Sequence, residues 1–151
     1  MKNHILNIAD LALIRNIIQI AEFKTAGEIK VCVAKESCHI EGEDISVSVE
    51  KKAVHMFNEL GIGNTRHSTG IIILVSPVDH RVAIYGDDAI NAVFKDGWPE
   101  VVKLITENAK RDDLVVGIIE AVKKMGEELA KHFPPHDSGD CNELTDDVVF
   151  C

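Results

Sequence analysis

The chain has 151 residues, 46% hydrophobic and 27% charged, enough for one compact domain with a real core. Its formal net charge is −9, from 25 acidic against 16 basic residues, which argues against binding a nucleic-acid backbone and suits a protein that attracts cations. No apolar run approaches the ~20 residues of a bilayer span, and Met1-Lys2-Asn3-His4-Ile5-Leu6-Asn7 lacks a signal-peptide pattern, so no membrane partner and a cytoplasmic location are expected.

Asp10 is a candidate N-cap for a first helix, in which Leu11, Ile14, Ile17, Ile18 and Ala21 recur at spacings of three and four. Thr25-Ala26-Gly27 ends it, with Gly27 suited to a left-handed residue. Ile29, Val31 and Val33 then alternate with Lys30, Cys32 and Ala34 as a strand, in which Cys32 reads as a buried, reduced thiol. Lys35 to Asp44 is polar and reads as a mobile loop. A second helix, from about Ser46 to Leu60, carries Val49, Ala53, Met56, Phe57 and Leu60 on one face.

Thr69 to Val75 is a β-branched run, and Arg81 to Tyr85 follows it across the turn Ser76-Pro77-Val78-Asp79-His80. The two make a β-hairpin whose second strand ends at Gly86-Asp87-Asp88. A short helix is expected at Asp88 to Phe94, another from about Pro99, and a last one from near Asp112 to Phe133. Gly117 and Gly126 in that last helix are expected to allow close packing against the sheet. Trp98 reads as a core or lid anchor against the short helix. Pro134-Pro135 stops the helical pattern, which sets a domain at 1–135 and an acidic tail at 136–151, either flexible or laid along the domain.

Asp87 and Asp88 are the residues most suited to chemistry. One aspartate before a helix is a cap, but two adjacent carboxylates repel unless a cation or a proton lies between them. With Asp96 eight residues on, they could form a hard oxygen cluster of the kind that Ca²⁺ or Mg²⁺ takes. Glu28, just before the first strand, is either a solvated charge or a ligand or acid/base group at a cleft edge. Thr65, His67, Ser68 and Thr69 form a polar approach to the hairpin, but no Walker glycine loop or G-x-S-x-G elbow is present. The seven histidines include no pair at zinc spacing other than His132 and His136, which Pro134 and Pro135 separate. Cys32, Cys38, Cys141 and Cys151 show no C-x-x-C pair, and their spacing does not require a disulfide.

Several ordered segments give the chain a family likeness. They include Ala21-Glu22-Phe23-Lys24-Thr25-Ala26-Gly27-Glu28-Ile29-Lys30-Val31, Phe57-Asn58-Glu59-Leu60-Gly61 and Asn64-Thr65-Arg66. Further on come Gly70-Ile71-Ile72-Ile73-Leu74-Val75, Ile84-Tyr85-Gly86-Asp87-Asp88-Ala89-Ile90, Gly117-Ile118 and Leu129-Ala130-Lys131-His132-Phe133-Pro134, with Asn142-Glu143-Leu144 in the tail. Together they resemble the TPM domain, a family of bacterial proteins and a thylakoid-lumen protein of photosystem II repair. The resemblance implies an α/β class, a three-layer α/β/α sandwich. Its small mixed sheet would include the one hairpin and carry helices on both faces.

The resemblance further implies a divalent cation, Ca²⁺ in particular and Mg²⁺ as an option, held by acidic loops near the carboxyl end of the sheet. Carried onto this chain, its ligands would be Asp87, Asp88 and Asp96, with Glu28 beside them. Three functions follow as expectations: a cation-binding module with a regulatory or scaffold role, a slow acid phosphatase using the same acidic cluster, or a scaffold that recruits a protein partner through the acidic tail. For the phosphatase, no catalytic residue is assigned, and Arg66 and Arg81 are the nearest phosphate partners.

Overall fold

Two consecutive β-branched runs make the centre of the sheet. The structure, a computed structural model, describes residues 6–135 and 145–151. Strand β1 (Glu28–Val33) pairs in parallel with β2 (Gly70–Ser76), and both are buried along their whole length. Strand β3 (Arg81–Gly86) returns antiparallel to β2 through the turn at 77–80. A two-residue strand β4 (Val149–Phe150) pairs in parallel with the far edge of β1, so the order is β3-β2-β1-β4. The mixed sheet carries helices on both faces, as expected from the sequence.

Alternation along the strands divides the core. Ile29, Val31, Val33, Ile71, Ile73 and Val75 face helices α1 (Ile8–Phe23), α4 (Pro99–Lys110) and α5 (Leu114–His132). Cys32, Ile72, Leu74 and Ala83 face α2 (Ile45–Glu59) and the 3-10 turn Ile62–Asn64. A strand covered on both faces favours apolar residues on both, hence the unbroken run Ile71-Ile72-Ile73-Leu74-Val75. The short α3 (Asp88–Val93) follows β3 and buries Ile90 against the first layer.

Several local readings change. Asn7, and not Asp10, caps α1: its side chain accepts from the Asp10 amide while the Asp10 carboxylate accepts from the Asn7 amide. Gly27 is not left-handed; it is buried, and an added Cβ would lie 3.0 Å from Leu129 Cδ1. Gly117 and Gly126 do admit close neighbours, but these are helices and not the sheet. A Cβ on Gly117 would meet the α4 backbone at Ile105, and one on Gly126 would meet Ala21 of α1 at 2.8 Å.

The polar stretch after β1 is held and not loose. The Asp79 carboxylate accepts from Ser37 Oγ at 2.6 Å, the Cys38 amide at 2.7 Å and Ser76 Oγ at 2.7 Å. Burial pushes this carboxyl up, but the three donors outweigh it and hold its pKa below the ordinary value. Asp79→Ala is therefore expected to cost about 2 kcal/mol in urea unfolding at pH 7. Because the folded pKa is depressed, that contribution is present above the unfolded value and is lost as pH falls through the folded one. Equal stabilities of the two proteins at pH 7 would refute the clamp.

Of the acidic tail, residues 145–151 lie along the domain. The Cys151 amide donates to Val33 O, and Cys151 O accepts from the Lys35 amide. Chain order hides this pairing, since a strand of two residues is too short to read by periodicity. Residues 136–144, on which the scaffold reading also relied, lie outside the described residues.

Candidate functional site

At one end of the sheet, three strands bring acidic residues into a row. Glu28 opens β1 opposite Gly70 of β2, and Ile71 is paired with Gly86, so Asp87 stands beside Gly70 on its other side. Backbone bonds tie the row: the Glu28 amide donates to Thr69 O at 3.0 Å, and the Asp87 amide to Gly70 O at 2.9 Å. This is the amino end of β1 and β2 and the carboxyl end of β3 only. The acidic residues expected near the carboxyl end of the sheet thus lie at the carboxyl end of β3 but at the amino end of β1 and β2, because the antiparallel return reverses β3 against its neighbour.

Asp87 caps α3, with one oxygen accepting from the Asp88 amide at 2.8 Å; its other oxygen is buried and accepts no hydrogen bond from the described residues. Asp88 is exposed in the first turn of α3, where the positive end of the helix favours a carboxylate. Asp96 is exposed beyond α3, on a groove it shares with Tyr85, Trp98 and Val102. Trp98 packs on Phe94 with ring centres 4.2 Å apart. Among the described residues, no three His, Cys, Asp or Glu side chains stand together as a set of metal ligands.

Glu28 has companions that the sequence reading missed. Glu22 reaches from α1 to accept from the Ile29 amide at 2.8 Å, on the edge of β1 that β4 leaves uncovered. Its carboxyl adjoins those of Asp146 and Glu28, and its pKa is pushed up to about 11. Burial is the main cause, followed by the hydrogen bond with Asp146 and repulsion from Glu28. Two carboxyl groups in hydrogen-bond contact need a proton between them, and that proton belongs to the Glu22–Asp146 pair. Its second oxygen is buried and receives no N–H or O–H from the described residues. Glu28 and Asp146 are each 7% exposed.

The resident cation is Lys30, two residues along β1. Its ammonium donates to Thr145 O at 3.0 Å and Thr145 Oγ1 at 2.8 Å. Burial pulls its pKa below the ordinary value, against the pull of the Asp147 and Asp146 carboxyls. Three acids and one lysine from α1, β1 and the C-terminal segment thus share a largely buried volume. The signal for Glu22 was present in the sequence: Ile14, Ile18 and Glu22 are spaced by four, so the glutamate continues a buried stripe.

Phosphate chemistry finds fewer parts here. Arg81 opens β3 opposite Ser76, so it lies at the other end of the strand from Asp87, about 20 Å away by strand rise. Arg66 precedes β2 at the acidic end and is exposed. Two hydroxyls of the 65–69 approach are engaged structurally: Thr65 Oγ1 accepts from the Thr69 amide, and Thr69 Oγ1 donates to Ala26 O. Ser68 adopts left-handed backbone with φ 56°, and its carbonyl accepts from the Ala89 amide.

Among known proteins, the family model described as the TPM domain matches residues 2–128. The NMR structure of BA42 protein from the psychrophilic bacterium Bizionia argentinensis superposes with a TM-score of 0.84 at 30% identity, covering 100% of this chain and 99% of that one. Among curated proteins, none matches this chain. No helix among the described residues is long and apolar enough to cross a membrane.

Proposed function

The chain belongs to the TPM domain family, and from that premise we propose that it binds a divalent cation, Ca²⁺ before Mg²⁺, at the acidic end of the sheet. Glu22, Glu28 and Asp146 would hold the ion, with Asp87 and Asp88 across Gly70 adding negative potential. The observation that carries the reading is Glu22: a largely buried carboxyl that shares a proton with Asp146, its pKa pushed up by burial and by its acidic neighbours. A hard cation is the natural replacement for that proton, since carboxylate oxygens and waters are its preferred ligands. The three carboxyls do not stand as a ready ligand set, so they would have to draw together as the proton leaves.

The consequence would be regulatory. Glu22, Glu28 and Asp146 come from α1, β1 and the C-terminal segment, so one ion would tie three parts of the chain together. Calorimetric titration at pH 7 in two buffers of different ionisation enthalpy tests this. The expected result is saturable Ca²⁺ binding with release of about one proton per ion and a Tm that rises with ligand concentration. Glu22→Gln should abolish both, whereas Asp87→Asn with Asp88→Asn should weaken binding without removing the proton release. No saturable heat and no Tm change in millimolar Ca²⁺ or Mg²⁺ would end the reading. Asp96, on a separate groove, is expected to be dispensable.

A further inference from the structure

Cys32 and Cys151 are separated by 119 positions, yet their sulfurs lie 2.8 Å apart. Cys32 is fully buried on the α2 face of β1, among Val49, Ala53, Ile72 and Leu74. Cys151 extends the β4 pairing by one residue, with its amide on Val33 O at 3.0 Å and its carbonyl on the Lys35 amide at 2.8 Å. Both sulfurs therefore sit on one face of neighbouring strands, and about 0.8 Å of approach separates them from bonding distance. Cys151 also lines a cleft of about 250 Å³ with Cys38 and Lys52, which gives small solutes a route to its sulfur.

We propose that Cys32 and Cys151 are a reversible disulfide-forming pair that fastens the C-terminal strand to the sheet under oxidising conditions. The oxidant is a peroxide, and the balance is two thiols plus hydrogen peroxide giving one disulfide and two waters. Cys151, the accessible partner, attacks as thiolate; the O–O bond breaks and the leaving hydroxide takes up the thiol's proton as water, leaving Cys151 as a sulfenic acid. The Cys32 sulfur then attacks the Cys151 sulfur, the S–O bond breaks, and the hydroxide leaves as water with the Cys32 proton. A dithiol reverses the bond by exchange, returning two electrons and two protons.

The division of roles follows from the surroundings. Burial raises the Cys32 thiol well above its ordinary range, with the Cys151 contact second, so Cys32 is a poor first nucleophile. It is well placed as the resolving thiol, since the sulfur it attacks is already in contact. Cys38 is the third thiol of the neighbourhood, with its sulfur 3.8 Å from Ser76 Oγ and its pKa raised by burial. The inference is independent of the cation reading, since it uses none of the carboxyl groups.

The test uses the full reduced chain, treated natively with a few equivalents of hydrogen peroxide, quenched by alkylation and analysed by intact mass and peptide mapping. The expected product has lost about 2 Da and links the Cys32 peptide to the C-terminal peptide. Dithiothreitol should restore four alkylatable thiols. The oxidised chain should melt on the order of 10 °C higher, because the bond closes a long loop. Cys151→Ser keeps the backbone bonds to Val33 and Lys35 and should keep the fold and lose the cross-link, and Cys32→Ala should leave Cys151 to over-oxidise. A bond from Cys151 to Cys38 or Cys141, or four free thiols after oxidant, would overturn the proposal.

Discussion

Glu22→Gln is expected to make the protein more stable at neutral and alkaline pH, by about 3 kcal/mol at pH 8. The folded pKa of Glu22 lies near 11, far above the ordinary carboxyl value of the unfolded chain. Between those two values the unfolded state releases a proton that the folded state keeps. Stability supplied by this group is therefore complete at acid pH and is lost as pH rises, by up to about 1.4 kcal/mol per pH unit. Gln keeps the oxygen that accepts from the Ile29 amide and offers N–H donors in place of the carboxyl proton toward Asp146. Urea unfolding of both proteins from pH 5 to pH 9 checks this: the curves should approach each other at pH 5 and diverge above it. Parallel curves would mean that Glu22 is ionised in the folded protein.

The same substitution separates the stability claim from the functional one. Ca²⁺ should reduce the pH slope of the unsubstituted protein, because a bound ion replaces the proton and lets Glu22 ionise. The Gln variant should be indifferent to Ca²⁺. If the slope is present but Ca²⁺ never changes it, the buried acid is structural, and the cation reading fails by itself.

Gly70→Ala is expected to be the most damaging single-methyl change, at about 3 kcal/mol, or a Tm lower by on the order of 10 °C. The residue opens β2 between Glu28 and Asp87, and a Cβ there would lie 2.4 Å from Ile62 O and 2.6 Å from Ile62 Cγ2. The first of these atoms is backbone, in a 3-10 turn whose Ile62 is itself fully buried, so neither side can yield cheaply. Any shift of β2 would also strain the bonds from the Glu28 and Asp87 amides. Gly42→Ala is the contrasting case: its added Cβ meets nothing within 4 Å, and only the left-handed backbone at φ 84° opposes it. It should cost about 1 kcal/mol. Equal losses from the two changes would show that the close approach at Gly70 is not limiting.

Much of the frame was legible because its signals are local. Ile71-Ile72-Ile73-Leu74-Val75 can only be a strand covered on both sides, and the Pro/Asp turn fixes an antiparallel return. The first cap was read three residues late: Asn7 displaced Asp10 because the carboxylate of a capping box sits three residues inside the helix. Asp79 was legible as a turn residue but not as an anchor, since its donors Ser37 and Cys38 lie about forty positions away.

By itself, the sequence determined the α/β class, the hairpin, the order of helices and the membership of the family, since each depends on residues close together or on a pattern spread along the chain. Only the tertiary structure decided what shares a volume. It gathered Glu22, Glu28, Lys30 and Asp146 from three segments into one buried group, left Asp96 on a different groove, and sent Arg81 to the opposite end of β3 from Asp87. It also laid the final residues along β1, which brought Cys151 to Cys32. The physical reason is range. Helix caps, alternation and turns act over a few residues, whereas the electrostatics of a buried carboxyl and the pairing of two thiols depend on neighbours that chain order does not record.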